Sequence, residues 1–363
     1  MNPKRILMIK SHSMGVGDVL RSSAAWRVLK NKWPEVELHL LFLSKHAGYA
    51  TESLIKQHHL LSSAHFITVR AHDPSVSNAA RVPITTLIQQ VQTIARELKP
   101  ELIIDFEPHG MKTSLLTWMA ARVCQAKTLG IAQFPGRSWF YDQCANSVSN
   151  YAQSHGLSLP MDYTNRDFVV LQALGLERSG TPIELALSEE GERFKQKLMA
   201  ELPRDLPVVG LNIGCGTQDA LVKRPDINHL ARCIASLYRQ QPFNLVLSGA
   251  PFEKDVNQLF LNTLSGLLPL PPRSWDLAGQ TTLPESAGLI DACDLFITTD
   301  SGPYHMAVGL RKPTLVWFTY GEITSFHDNI WVNRVIQPIE QEFVAAIDKL
   351  AWLKSHQDLS SSA

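Results

Sequence analysis

The sequence predicts an α/β protein made of two domains, each a parallel sheet with helices on both faces. Short apolar runs that fit buried strands alternate with segments whose apolar residues recur at helical spacing. This alternation repeats in the second half, and 363 residues are long for one core. We expect two Rossmann-like domains that face each other across a central cleft, an arrangement that suits an enzyme with two substrates.

In the first half, an apolar strand is expected at residues 5–9, followed by a loop with two glycines and a helix from about Val19. Helical spacing of apolar residues predicts a second helix over residues 84–98. Residues 71–83 have no apolar period and are expected to form a mobile loop. The other predicted strands of this half are residues 36–43, 65–69 and 102–106.

The second half repeats the plan after a polar linker at residues 177–182 that contains Gly and Pro. Its predicted strands are residues 207–213, 244–247, 294–298 and 314–317, and its helices are residues 227–239, 252–263 and 284–292. A last helix is expected over 339–354, before a Ser-rich tail expected to be disordered. The predicted domains are therefore residues 1–176 and 177–335, with 336–363 as the terminal helix and tail.

Composition excludes several classes of protein. The formal net charge is +0, which favours neither a nucleic-acid partner nor a polybasic membrane anchor. No apolar run approaches the roughly 18 residues of a transmembrane helix, and the first residues lack a signal-peptide cleavage pattern. The five cysteines form no C-x-x-C pair, and no metal-ligand spacing occurs. We expect a cytoplasmic protein without a metal or cofactor.

The most informative motif is Asp300-Ser301-Gly302 with His305, at the carboxyl end of a predicted strand where a helix begins. Ligands of open α/β sheets lie at the carboxyl ends of the strands. A helix N-terminus offers unpaired N–H groups and partial positive charge to an anion. The motif therefore predicts a site for a phosphorylated ligand. The alternative is that Asp300 or Ser301 only caps the helix and that His305 packs in the core.

Asp18 follows the first strand in a loop with Gly15 and Gly17, which permit close approach of the backbone to a ligand. The pattern is not G-x-G-x-x-G, and no acidic residue ends the next strand, so a dinucleotide site is disfavoured. Asp18 either caps the following helix or takes a proton from a substrate hydroxyl.

Three further segments end strands and carry polar groups. Lys223 and Arg224 follow a glycine turn after residue 213 and either neutralise a diphosphate or are solvated loop charges. Glu253 begins a helix after Gly249 and either stabilises that helix or binds ribose hydroxyls. The segment 105–114 ends a strand of the first half and is expected to line the cleft from the other side.

Taken in order, these segments resemble glycosyltransferase family 9, the heptosyltransferases of the ADP-heptose:lipopolysaccharide type. The most specific match is Asp300–Ala307 to D-[TS]-G-x-x-H-x-A, while Gly17–Leu20 matches G-D-V-L and Leu277–Leu283 matches L-A-G-x-T-x-L. The resemblance implies the GT-B fold. It also implies inverting, metal-independent transfer of heptose from ADP-heptose to a sugar hydroxyl of the lipopolysaccharide core, with peripheral contact to the inner membrane.

The resemblance also assigns roles. Asp18 is the implied general base, and Lys112 lies on the acceptor side. The implied donor-binding residues are Lys223 for the diphosphate with Thr217 nearby, Glu253 for ribose, Thr281 for adenine through its backbone, Asp300 for the sugar, and Ser301, Gly302 and His305 for phosphate or sugar oxygens.

Departures from the family pattern leave the sugar and the acceptor open. The loop before Asp18 is longer, Arg224 stands near the place of the family tryptophan, and Glu107 replaces a glutamine. The alternatives are a transferase of the same fold with another nucleotide sugar or a protein acceptor, and a nucleotide-binding module without catalysis.

Overall fold

Parallel sheets form the centre of both halves of the chain. The computed structural model describes residues 2–11, 15–45, 48–70, 81–214, 218–319, 323, 326–350 and 352. The chain divides into two compact units, Met1–Ile183 and Glu184–Ala363. Within the described residues each unit contains a six-stranded sheet. The predicted α/β class is confirmed, whereas the domain limits at residues 176 and 335 stay predictions.

In the first unit, the strand order across the sheet is β3-β2-β1-β4-β5-β6. The strands are β1 Arg5–Ser11, β2 Glu37–Ser44, β3 Ser63–Thr68, β4 Leu102–Asp105, β5 Lys127–Ile131 and β6 Gln143–Ala145. The helices are α1 Val16–Leu20, α2 Ser22–Lys32, α3 Ala50–Ile55, α4 Ile84–Leu98, α5 Met111–Cys124, α6 Val148–Ser154 and α7 Phe168–Leu171. Short 3₁₀ helices cover Arg137–Phe140, Tyr163–Asp167 and Gln172–Leu174.

In the second unit, the order is β12-β11-β10-β7-β8-β9. The strands are β7 Val208–Asn212, β8 Asn244–Ser248, β9 Ser274–Asp276, β10 Leu295–Thr299, β11 Thr314–Phe318 and β12 Val332–Ile336. The helices are α8 Glu189–Glu201, α9 Ile227–Gln240, α10 Lys254–Leu267, α11 Leu283–Ala292, α12 Gly302–Gly309 and α13 Glu340–Asp348. Short 3₁₀ helices cover Gln218–Lys223 and Pro251–Glu253.

The four strands β8, β7, β10 and β11 are buried along their whole length, as expected when helices cover both faces of a parallel sheet. Their carboxyl ends lie side by side, since Asn212 pairs with Ser248 and Thr299 pairs with Trp317. This carboxyl edge carries most of the residues that the sequence singled out in the second half, and we call it the donor edge after the donor-binding role that the resemblance implies for them.

The prediction of a final helix over 339–354 is wrong at residues 349, 350 and 352, which are not helical, while residues 351, 353 and 354 lie outside the described residues. The helix starts after Ile339, whose backbone N–H donates to the Glu342 carboxylate, and ends at Asp348. The predicted helix was too long because Leu350 and Trp352 continue its pattern of apolar residues. Both are buried, at 6% and 4% exposure, although neither is helical. Residues 71–80 of the predicted mobile loop over 71–83, and the predicted tail after residue 354, lie outside the described residues.

No helix in the described part of the chain combines the length and the hydrophobicity needed to cross a membrane.

Candidate active site

The donor edge brings Lys223 and Asp300 together from positions far apart in the sequence. The Lys223 ammonium donates to Asp300 Oδ2 at 2.8 Å and to the Asp300 carbonyl at 3.0 Å. The Asp300 side chain is 3% exposed and the Lys223 side chain 31% exposed. Lys223 is therefore not a solvated loop charge. The pair combines a buried carboxylate with a cation that solvent, and hence a ligand, can reach.

Ser301 occupies the N-cap position of α12, but its side chain makes no capping hydrogen bond. Its hydroxyl lies 3.3 Å from Asn212 Oδ1 and 3.3 Å from the Thr299 carbonyl, so it ties β10 to β7. Ser301 is therefore the N-cap residue by position, but its hydroxyl does not cap the helix. The first turn, which Gly302 begins, keeps N–H groups that no Ser301 hydroxyl satisfies.

His305 lies one turn further along α12 and is 6% exposed. Its Nδ1 lies 2.8 Å from Nε2 of His327, and the backbone N–H of His327 donates to the Tyr304 hydroxyl at 2.8 Å. His305 is therefore held in one orientation by a second histidine. His327 could not be singled out from the sequence, because it belongs to no recognisable motif and follows the last predicted strand.

Glu253 fills the space above the end of β7. It is 1% exposed, and its Oε2 accepts the Ala250 N–H at 2.7 Å. A Cβ atom on Gly214 would lie 1.5 Å from Glu253 Oε1, so only glycine fits beneath this carboxylate. The Thr299 hydroxyl donates to the Gly214 carbonyl at 2.7 Å. These contacts connect the ends of β8, β7 and β10 into one polar surface.

Two predicted donor residues remain, Thr281 and Thr217. The hydroxyl of Thr281 lies 2.8 Å from that of Ser286 at the start of α11, and Gly279 nearby donates to the Gly249 carbonyl at 2.8 Å. The segment that contains Thr281 therefore runs beside the end of β8. Thr217 lies outside the described residues.

In the first unit, Asp18 lies within α1, whose N-cap is Gly15, so the capping alternative for Asp18 is wrong. Asp18 is 2% exposed. Its Oδ1 accepts from Arg21 Nη1 at 2.7 Å and from the Tyr163 hydroxyl at 2.6 Å. Burial raises the pKa of Tyr163, which keeps this hydroxyl a donor. Neither Arg21 nor Tyr163 was singled out from the sequence.

The segment after β4 forms a second polar cluster. Asp105 is fully buried and accepts from Arg137 Nη2 at 3.1 Å and from the Tyr141 hydroxyl at 2.6 Å. Burial raises the pKa of Asp105 to about 6. Lys112 is exposed in the first turn of α5, which follows this strand. The cluster shapes the loop from which α5 starts.

No group of three or more His, Cys, Asp or Glu side chains is arranged to hold a metal ion among the residues that the structure describes.

The comparison with protein families shows to which family the chain belongs. The model of "Glycosyltransferase family 9 (heptosyltransferase)" matches residues 95–339. The chain belongs to glycosyltransferase family 9. The family assignment made from the sequence is confirmed, and this family 9 chain is a glycosyltransferase. The matched range contains Lys223, Glu253, Asp300 and His305, whereas Asp18 precedes it.

Relatives of this family 9 chain are distant. Lipopolysaccharide heptosyltransferase 3 of Escherichia coli K12 is 20% identical over 329 residues, 88% of this chain and 84% of that protein. A family 9 structure from Veillonella parvula DSM 2008 has a TM-score of 0.66, 18% identity and coverage of 96% and 97% of the two chains.

Two Escherichia coli structures cover 99% of this chain and 100% of their own. ADP-heptose lps heptosyltransferase II has a TM-score of 0.64 at 16% identity. Heptosyltransferase WaaC with ADP-2-deoxy-2-fluoro heptose has a TM-score of 0.57 at 15% identity. At such identities these structures show the fold, and the predicted GT-B class is confirmed.

Proposed function

We propose that this chain is an inverting heptosyltransferase that moves heptose from ADP-heptose to a sugar hydroxyl of the lipopolysaccharide core. The observation that carries the proposal is the pairing of Lys223 with Asp300 at the start of α12, beside buried Glu253, within the range that the family matches. The relatives add support. One of the similar structures is WaaC with ADP-2-deoxy-2-fluoro heptose, and the relative from Escherichia coli K12 is named a lipopolysaccharide heptosyltransferase.

The donor edge has the chemistry that a departing nucleoside diphosphate requires. As the bond between the anomeric carbon and the diphosphate breaks, negative charge develops on the leaving oxygen. Lys223 and the first-turn N–H groups of α12 supply fixed positive charge for it. We assign Asp300 and His305 to the oxygens of the transferred sugar, Glu253 to the ribose hydroxyls and the segment of Thr281 to adenine.

Asp18 is assigned as the general base. It takes the proton of the acceptor hydroxyl while that oxygen attacks the anomeric carbon from the side opposite to the ADP, so the configuration inverts. Such assistance contributes about 10²–10⁴-fold to rate. The lipopolysaccharide core is attached to a membrane lipid, so we also propose peripheral contact with the membrane and place Lys112 on the acceptor side.

Calorimetry with ADP-heptose, ADP-glucose and UDP-N-acetylglucosamine, followed by a transfer assay on heptose-acceptor core oligosaccharide, tests the proposal. We expect binding of ADP-heptose and transfer from it. Asp18→Asn should keep the donor Kd and lose transfer, whereas Lys223→Met should weaken ADP binding roughly 10–100-fold through loss of a charge-assisted contact. Binding of UDP-sugars alone would contradict the assigned donor, and binding of no nucleotide sugar would contradict a transferase site at the donor edge.

A further inference from the structure

A buried ionic cluster lies behind Asp18. At its centre is Asp167, the last residue of the 3₁₀ helix Tyr163–Asp167, which is fully buried. Its carboxylate accepts from Lys10 Nζ at 2.9 Å and from Arg21 Nε at 2.9 Å, and also from the Ser22 hydroxyl. The cluster therefore joins β1, the helices α1 and α2, and a segment about 145 residues further along the chain.

Arg21 connects Asp167 to Asp18. Its Nε is bound to Asp167, while Nη1 donates to Asp18 Oδ1 at 2.7 Å. The guanidinium also lies over the Tyr163 ring, 4.7 Å from its centroid, and the Tyr163 hydroxyl donates to the same Asp18 oxygen. The two ends of the 3₁₀ helix thus converge on one carboxylate oxygen, Tyr163 directly and Asp167 through Arg21.

The negative charge of Asp167 restrains Arg21. Burial alone raises the pKa of the Asp167 carboxyl, but Arg21 and Lys10 outweigh this effect and hold that pKa below its usual range. Glu107 Oε1 lies 3.9 Å from Lys10 Nζ and adds a third carboxylate. Two cations therefore stand among three carboxylates. Without Asp167, Arg21 would be released to pair more fully with Asp18, because a guanidinium favours two-point contact with a carboxylate.

We propose that the 3₁₀ helix Tyr163–Asp167 positions Asp18 for proton transfer, Tyr163 by its hydroxyl and Asp167 by restraining Arg21. The inference rests on the proposed function, in which Asp18 is the base. Asp167 and Tyr163 are positioning residues: they orient the carboxylate and balance the charge around it. Mispositioning of a reacting group by about 1 Å costs roughly 100-fold in rate, so losses between about 10- and 100-fold are expected.

The test compares Asp167→Asn with Tyr163→Phe in single-turnover transfer assays over a range of pH. Both should lower the transfer rate and leave the donor Kd unchanged. The acid limb of the pH profile should move by about one pH unit in each variant, and in opposite directions in the two variants. In Asp167→Asn, a negative charge close to Asp18 is lost while Arg21 and Lys10 remain, which favours the Asp18 carboxylate and moves the limb to lower pH. In Tyr163→Phe, loss of a hydrogen bond to that carboxylate moves the limb to higher pH.

Glu107 and Tyr49 also face this region, and burial together with Asp18 raises the pKa of Tyr49. Both are retained in each variant, so they do not account for opposite shifts. Asp162→Asn is the matched control: Asp162 Oδ2 pairs with Arg178 at 2.7 Å, and Oδ1 caps the 3₁₀ helix by accepting the Thr164 N–H, which the oxygen of an asparagine amide can also do. Its transfer rate and pH profile should equal those of the unmodified protein.

Asp18→Asn, assayed in parallel, separates the two proposals. If Asp18→Asn transfers at the unmodified rate, the assignment of the base fails. If Asp18→Asn is inactive while folded Asp167→Asn and Tyr163→Phe both keep the unmodified rate and profile, the positioning role alone is wrong. Should Asp167→Asn fail to fold, Tyr163→Phe, which removes a single hydroxyl, decides through the upward shift or its absence.

Discussion

Replacement of Gly214 by alanine probes how the donor edge is held together. The new Cβ would lie 1.5 Å from Oε1 and 2.1 Å from the carboxyl carbon of Glu253. Real contacts of this kind do not occur, and the backbone at this point is fixed because Thr299 donates to the Gly214 carbonyl. The Glu253 carboxylate must therefore move, although it is only 1% exposed.

The size of the effect follows from what Glu253 would lose. Its Oε2 accepts the Ala250 N–H at 2.7 Å, a charge-assisted bond that contributes about 2 kcal/mol. A loss of that size in a unit of this length lowers the Tm by roughly 4–8 °C. Because Glu253 is assigned to the ribose of the donor, Gly214→Ala should also weaken ADP binding. Thermal unfolding and calorimetry with ADP measure the two effects separately.

Two variants control the interpretation. Gly266→Ala lies at the exposed end of α10, where a Cβ meets no atom within 4 Å, so it should raise stability by about 0.5–1 kcal/mol without affecting ADP. The double variant Gly214→Ala with Glu253→Ala removes the clash and should recover part of the Tm but not the ADP affinity. The reasoning would be refuted by a Gly214→Ala protein that keeps both the unmodified Tm and the unmodified ADP affinity.

Three further predictions follow. Asp300→Asn removes a negative charge 2.8 Å from the Lys223 ammonium and should tighten ADP binding about 10-fold while it slows transfer; weaker ADP binding would contradict this. His327→Ala removes the partner of His305 Nδ1 and should raise the donor Kd roughly 10-fold, measured by calorimetry, and an unchanged Kd would show that the pair does not serve the donor. Asp105 has a pKa of about 6, above the ordinary 3.8, so its contribution to stability is full below about pH 4 and is lost as the pH rises through 6. The Tm of the unmodified protein minus that of Asp105→Asn should therefore fall from pH 4 to pH 7, and a constant difference would contradict the shift.

Much of the donor edge could be predicted because parallel strands end at a common edge. Once Asn212, Ser248 and Thr299 are recognised as strand ends, the polar residues that follow them must be neighbours. The helix Ile84–Leu98 was also predicted at its observed limits, since its apolar residues repeat regularly over a long segment. The roles given to the individual donor residues remain predictions.

The parts that could not be predicted are short or depend on contacts between distant residues. The edge strands β6 and β9 have three residues each, and β12 is only partly buried, so none carries a clear apolar pattern. Tyr163 contacts Asp18 across 145 positions from a 3₁₀ helix without periodicity. His327 contacts His305 across 22 positions, from a segment without a recognisable motif. Such contacts require the folded chain.

Asp18 and Asp300, for which the sequence left a helix-capping role open, are both buried, which a helix cap does not require. Asp18 is 2% exposed and Asp300 3% exposed, and each is paired with a cation, Arg21 or Lys223. A cap works at the surface, where serine or threonine serves as well. Burial of an ion pair instead carries a desolvation cost that the attraction between the charges often fails to offset. An ion pair of this kind in each unit, within α1 for Asp18 and directly after β10 for Asp300, is better explained by ligand chemistry than by helix stability. Substitution of either aspartate should therefore affect turnover or binding more than the Tm.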